Sequence, residues 1–256
     1  MNLVKPSYKI IRATPDGLNA IEEAARTCYL SEPKDTKELR NQFYGTTGLY
    51  VTNNEADFRV WVQKGFLTKI RKMGHQTPFE FMDIEIEFIC DRGVSHEAVR
   101  HRLCSPMQES TRYCNYSADR KHGMNVIPPS LFKNDNPKQT VAVPLISTDG
   151  QIVTSVNYQQ KLNDFDVWVL CMSFAEWGYN TLLSMGHSPQ WARSVCPTSL
   201  KTTLKIKANV REWWHIFQLR AINPGAHPQI REVMLPALEE CAELWPVLFG
   251  HMLTKE

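Results

Sequence analysis

Between Arg92 and Arg120 the chain carries five arginines, Arg92, Arg100, Arg102, Arg112 and Arg120, and no lysine, although the whole sequence holds 15 lysines and 14 arginines. A face that only needs solvation uses both cations. A planar guanidinium fork is selected where phosphate or carboxylate must be gripped at two points, or where a flat ring must be stacked upon. Within the run, Arg100-His101-Arg102 is followed after seven residues by Ser110-Thr111-Arg112-Tyr113. Hydroxyls, backbone amides and a fork donor in one short stretch suit a phosphate monoester. The sequence has no G-x-G-x-x-G and no G-x-x-x-x-G-K-[ST], so side chains rather than a glycine-rich cradle must hold any nucleotide. The competing use of the arginines is internal, as partners for the acidic residues Asp83, Glu85 and Glu87. No metal site is expected: His96 and His101 are five residues apart, off a single helical face. A serine nucleophile needs an activating base, and no positioned His-Asp partner for Ser110 is evident in the sequence.

These residues need elements to position them. Ile10 and Ile11 form a short leading strand before the turn Thr14-Pro15-Asp16-Gly17, and Ile21, Ala24, Ala25 and Cys28 recur at helical spacing after it. Residues 31–36 are polar. Phe58, Trp61, Val62, Phe66 and Ile70 predict a helix that ends near Gly74. Met82, Ile84, Ile86 and Phe88 then alternate with Asp83, Glu85 and Glu87, the clearest strand, with one buried and one acidic face. A short helix is predicted over 94–102, and 103–117 is irregular. Five prolines and glycines (Pro128, Pro129, Pro137, Pro144, Gly150) make 118–155 a surface excursion with a strand at 141–146. A long helix over 165–183 ends at Gly186, a strand covers 203–208, and helices cover 210–219 and 230–249, the last bent at Pro236.

Composition bounds the class. With 256 residues, 43% of them apolar and 22% charged, the chain reads as an ordinary globular protein. Its net charge of +2 opposes a general polyanion binder, so anionic ligands depend on local clusters. Seven cysteines without a C-x-x-C pair point to reduced thiols in a cytoplasm-like compartment. Neither a signal peptide nor a membrane span is expected. Cys196 reads as a packed thiol, and Trp213, Trp214 and Phe217 as core. Lys201, Lys205 and Lys207 read as the solvated face of a strand.

Arg100-His101-Arg102, seven residues, then Ser110 resembles the signature of the flavin-dependent thymidylate synthases, and Gln108-Glu109-Ser110-Thr111-Arg112-Tyr113 is similar to its common continuation. Further similar motifs follow in the family's order: Ala25-Arg26 with Tyr29, Gly74-His75-Gln76-Thr77-Pro78-Phe79-Glu80, Ala192-Arg193 with Pro197, Asn209 with Arg211, Leu219-Arg220, and Ala226 with Ile230-Arg231. The resemblance covers most of the chain and is weakest over 118–155. It implies a single α+β domain over 1–256, with a twisted, largely antiparallel sheet packed against long helices. It also implies reductive methylation of dUMP to dTMP, with methylenetetrahydrofolate as one-carbon donor, NADPH as reductant and FAD passing the hydride. The family works as a cytoplasmic homotetramer with active sites shared between subunits, in a host cytoplasm where the source is viral, with no nucleic acid or membrane partner.

Carried over by position, the resemblance assigns Arg100, His101, Arg102, His75, Thr77, Asn209, Arg211 and His215 to FAD. It assigns Ser110, Thr111, Arg112 and Arg193 to the dUMP phosphate and sugar, with Arg100 and Gln108 reaching both ligands. Arg220 falls at the uracil, where a guanidinium stabilises charge as N3 ionises and makes C5 more nucleophilic. The sequence departs from the family pattern at Glu97, which stands where a glutamine commonly contributes to the nucleotide site. It departs also at Phe81, at His215, at His227-Pro228-Gln229, and by one extra residue between Arg220 and Ala226. Two other readings stay open on the residues alone. One is a non-catalytic nucleotide or single-strand nucleic-acid binder using the arginines with Tyr113 and Tyr116. The other is a flavin-binding relative without methyl transfer.

Overall fold

The computed structural model describes residues 1–28, 30–47, 55–117, 123–146, 152–157 and 161–254. Tyr29 and Arg120 lie outside the described residues. In chain order the strands are β1 Asn2–Leu3, β2 Ser7–Ala13, β3 Asp83–Asp91, β4 Ser105–Gln108, β5 Asn125–Val126, β6 Ala142–Ile146, β7 Ile152–Asn157 and β8 Lys201–Asn209. The helices are α1 Gly17–Thr27, α2 Lys37–Thr47, α3 Glu55–Lys72, α4 Arg92–Ala98, α5 Asp164–Ser184, α6 Pro189–Ala192, α7 Val210–Phe217, α8 Pro228–Leu244 and α9 Pro246–Leu253. The architecture is α+β, a sheet packed against helices. Its four-stranded sheet has the order β2-β3-β8-β4. β1 pairs with β5 in parallel, and β6 pairs with β7 antiparallel with a bulge at Leu145/Ile146.

The chain divides into two compact units. The first comprises Met1–Ser7, Ile89–Arg100 and Gln108–Leu204. Its core gathers Tyr116, Met124, Val126, Trp168, Met172, Tyr179, Ala192 and Leu200, with α5 supplying three of them. α5 starts on a capping box, Asn163 accepting from the Asp166 N–H and Asp166 accepting from the Asn163 N–H. It ends on Gly186 at φ 89°, where the His187 N–H reaches the Leu182 carbonyl and the Gly186 N–H the Leu183 carbonyl. That is a Schellman end, which a left-handed glycine permits without a Cβ clash. Met124, Val126 and Ile127 are buried, so the start of the expected surface excursion belongs to the core. The prolines suggested surface, but β5 uses its edge to pair β1 and to bridge Leu200.

The second unit comprises Tyr8–Phe88, His101–Met107 and Lys205–Glu256. Ile84, Ile86 and Phe88 of β3 are buried, and so are Ile206 and Ala208 of β8, as the period of two requires. Trp213 and Phe217 of α7 are fully buried. The Trp213 indole N–H donates to the Ile84 carbonyl at 3.0 Å, which fixes α7 against the strand. α3 also closes as a Schellman end, with Gly74 at φ 77°, delivering His75 into the next turn. Two expectations change here. α2 forms after the polar residues 31–36, where no element was expected, held by Phe43 packed edge-on against Phe58 and by Arg40, which pairs with Asp35 and Glu55 over the Phe58 ring. The predicted final helix is two: α8 runs through Pro236 and ends at Trp245, φ −132° and ψ 69°, before Pro246 opens α9. A residue preceding proline is pushed out of the helical region, and at Pro236 the burial of Val233, Met234, Ala237 and Leu238 holds the helix together.

Candidate active site

The acidic face of β3 does not use the arginine run. Glu85 pairs with Arg12 at 3.0 Å, Glu87 with Lys205 at 3.5 Å and Asp83 with Lys207 at 2.9 Å. Lys205 and Lys207 are therefore partners in a cross-strand ladder rather than merely solvated. Lys201 departs further from expectation: it is half-buried, donating to Glu109 at 3.0 Å and to the Thr203 hydroxyl at 2.7 Å. With the carboxylates of β3 neutralised, the exposed Arg100, Arg102 and Arg112 form no ion pair among the described residues. Arg92 is different. Its Nη1 donates to the Glu109 carbonyl and the Thr202 hydroxyl, so it braces the backbone.

In the first unit, β3 runs directly into α4 because Asp91 caps it, accepting from the Val94 N–H at 2.7 Å. Glu97 is half-buried near the end of that helix, and Arg100 follows, exposed. The helix is shorter than the predicted 94–102. Gln108 uses its amide nitrogen on Ser95 at 2.6 Å and Thr202 at 3.3 Å, so those N–H groups tie β4 to its neighbours. Ser110 starts a turn: its carbonyl accepts from the Cys114 N–H and its hydroxyl from the Arg112 N–H at 3.3 Å. Thr111 is buried and accepts from Arg193 Nη1 at 3.3 Å, which brings together two motifs 82 positions apart. The Arg112 guanidinium lies 5.5 Å from the exposed Tyr113 ring. Tyr116 is 3% exposed and packed against Tyr179, so it offers no stacking face for a nucleic-acid base. Burial pushes the Cys196 thiol up to about 11, as for a packed side chain.

In the second unit, Asn209 caps α7 by accepting from the Glu212 N–H at 2.8 Å. Arg211, exposed beside it, pairs with Glu80, which joins the His75 motif to the α7 motif. Phe79, next to Glu80, packs its ring on Trp214 with centroids 4.7 Å apart. Thr77 is exposed and His75 half-buried. After Phe217 the helix widens into a π-helical segment, Gln218–Ile222, which carries Arg220. The Asn223 N–H reaches back five residues to the Gln218 carbonyl, and Arg231 Nε supports the segment at the Ala221 carbonyl. Such widened turns recur at functional sites. Arg220 Nε donates to His101 Nε2 at 3.3 Å. His101 is 7% exposed, and burial, with Arg220 and His215 nearby, lowers its pKa to about 4. Its Nδ1 faces the buried Glu212 carboxylate at 3.8 Å, whose pKa burial raises. The exposed His215 meets the His101 ring edge-on at 5.5 Å.

Sequence reasoning missed Glu212. Its spacing from Asn209 is that of an ordinary capping pair, and only the fold shows that it is buried on His101. His101, Glu212 and His215 bring ligand atoms within 4.8 Å of one another, a grouping that spacing along the chain did not reveal.

Fold and site define a class first: an α+β protein in which Arg100, Arg102 and Arg112, without an ion pair among the described residues, and the turn hydroxyls suit a phosphate-bearing ligand. The family model described as Thymidylate synthase complementing protein matches residues 9–247, and the chain belongs to that enzyme family, the flavin-dependent thymidylate synthases. It is 28% identical over 242 residues to the flavin-dependent thymidylate synthase of Geobacter sulfurreducens, covering 94% of this chain and 84% of that protein. It is 27% identical over 193 residues to that of Mycobacteroides abscessus, covering 75% and 70%. In fold it is similar to a UMP/dUMP methylase, PolB from Streptomyces cacaoi bound with 5-Br dUMP, with a TM-score of 0.62 and 20% identity over 98% of this chain and 96% of that one. None of the described helices is long and apolar enough to cross a membrane.

Proposed function

We propose that the chain makes dTMP by reductive methylation of dUMP, taking the carbon from methylenetetrahydrofolate and the reducing equivalents from NADPH through bound FAD. The observation that carries the reading is the division of cations. Arg12, Lys205 and Lys207 neutralise β3, while Arg100, Arg102 and Arg112 stay exposed without an acidic partner among the described residues. The relatives, named as flavin-dependent thymidylate synthases, support the same substrate.

The donor set of the second unit fits a flavin dinucleotide: exposed guanidiniums at Arg102 and Arg211 and a hydroxyl at Thr77 match a pyrophosphate, with His75, Asn209 and His215 in the same unit. When bound, FAD supplies the hydride transfer, and the protein supplies orientation and electrostatics. Arg112, Arg193, Ser110 and Thr111 hold the dUMP phosphate and sugar. Arg220 is the catalytic residue at the uracil. Its charge favours N3 ionisation and so raises electron density at C5, and the neutral imidazole of His101 beside it leaves that charge intact. The protein acts in the cytoplasm as a homotetramer, a mass that light scattering measures directly.

The test is tritium release from 5-tritiated dUMP. Release should require FAD, NADPH and methylenetetrahydrofolate together and should yield dTMP. A yellow protein that binds dUMP yet releases no tritium with all three present overturns the reading.

A further inference from the structure

The cluster of His101, Glu212, His215 and Arg220 lies wholly within the second unit. An arginine Nε always carries its hydrogen, so His101 Nε2, which accepts it at 3.3 Å, must present a lone pair. The one proton of the neutral ring then sits on Nδ1, facing Glu212 Oε1 at 3.8 Å. The trio has a spacing open to a metal ion, but a metal-bound imidazole donates its second N–H to an acceptor. Here the second nitrogen meets a donor, and ligation through Nδ1 would require a ring stripped of both protons. Nor does a ring that is 7% exposed, with one nitrogen on Arg220 and the other facing Glu212, have a polar atom to offer a flavin.

We propose that His101 is a positioning residue: buried between Glu212 and Arg220, it fixes the Arg220 guanidinium by accepting its Nε–H, which leaves its one proton on Nδ1. The inference rests on the role of Arg220 at the uracil, and it departs from the flavin contact implied for His101 by the resemblance. The choice of histidine follows from electrostatics. A carboxylate in this place would anchor the guanidinium and cancel its charge, whereas a neutral imidazole anchors it and leaves the charge for the substrate. Burial, which lowers the ring's pKa to about 4, keeps it neutral under ordinary conditions.

Two measurements on the purified flavoprotein test this. With 15N-labelled histidine, one neutral ring should carry its proton on Nδ1. That signal should vanish in His101→Gln, and in Arg220→Ala its pKa should rise toward about 6.5. A proton on Nε2, or a His101 pKa that Arg220→Ala leaves unchanged, overturns the proposal. In kinetics, His101→Leu should lower kcat for tritium release about tenfold to a hundredfold, with FAD affinity within about twofold. His101→Gln, whose Oε1 accepts the same N–H, should recover most of the rate. Weakened FAD binding with kcat intact at saturating FAD would instead make His101 a flavin contact. If the wild type releases no tritium, the functional reading fails, while the histidine spectra still decide the proposal.

Discussion

Acidification should destabilise the wild-type chain more steeply than its His101→Gln variant. The folded state holds His101 with a pKa near 4, against an ordinary value of 6.5, because the ring is buried and faces Arg220 and His215. Glu212, the opposing charge, stands 3.8 Å away and is itself pushed toward its neutral form by burial. A histidine depressed on folding binds its proton more tightly when unfolded. Its contribution is therefore complete above about pH 6.5 and is lost as the pH falls toward about 4. The shift corresponds to at most about 3 kcal/mol. Between about pH 7.5 and 5.5 the wild type should lose about 1 kcal/mol from this group alone, and by about pH 4.5 roughly 2 to 3 kcal/mol. Urea unfolding followed by tryptophan fluorescence at a series of pH values gives the stability of both proteins. Carboxylates titrate in both, so the difference between the two curves isolates the imidazole. Parallel curves from pH 7.5 to 4.5 would refute the reasoning, as would a variant that loses stability faster than the wild type.

The remaining predictions concern binding and the core. Arg220→Ala should mainly slow turnover and Arg112→Ala mainly weaken dUMP binding, and equal effects on dUMP affinity, measured by titration calorimetry, would contradict that division. Ser110→Ala should raise the dUMP Kd while leaving measurable turnover; complete loss of methylation with affinity intact would return the serine to a nucleophilic role. Lys201→Met leaves the Glu109 carboxylate, 14% exposed, without its 3.0 Å partner, and should cost about 1–3 kcal/mol in urea unfolding. Trp213→Ala removes a fully buried indole and its bond to Ile84, and should cost about 3–5 kcal/mol, read as a lowered Tm.

The elements legible in the sequence were those with strong periodicity or a glycine stop. β3 announced itself through Met82 to Phe88, and α3 and α5 through Gly74 and Gly186, because period and left-handed glycine are local properties. β4 and α2 were not legible. Ser105 to Met107 are exposed, so β4 has no apolar alternation to reveal it, and α2 depends on Phe43 meeting Phe58 from another helix. At the site, the residue types and their order were readable, and the partners were not. Thr111 with Arg193 and Arg211 with Glu80 join segments far apart in sequence. The fate of the acidic strand face likewise awaited the pairing of β3 with β8, which gave two of its carboxylates to lysines.

The widened turn at Gln218–Ile222 makes Arg220 sensitive to counting as well as to contacts. An α-helix turns about 100° per residue, so one residue more or fewer before a side chain swings it to a different face. A π turn absorbs one additional residue within a single loop of backbone, which lets α7 and α8 keep their own faces toward the core. Deleting Leu219, one position before Arg220, would let the turn relax to α-helical winding with both helices still seated, while the guanidinium and the imidazole that holds it point apart. The phase of the helix, and not only its sequence, is part of how this chain aims its arginine.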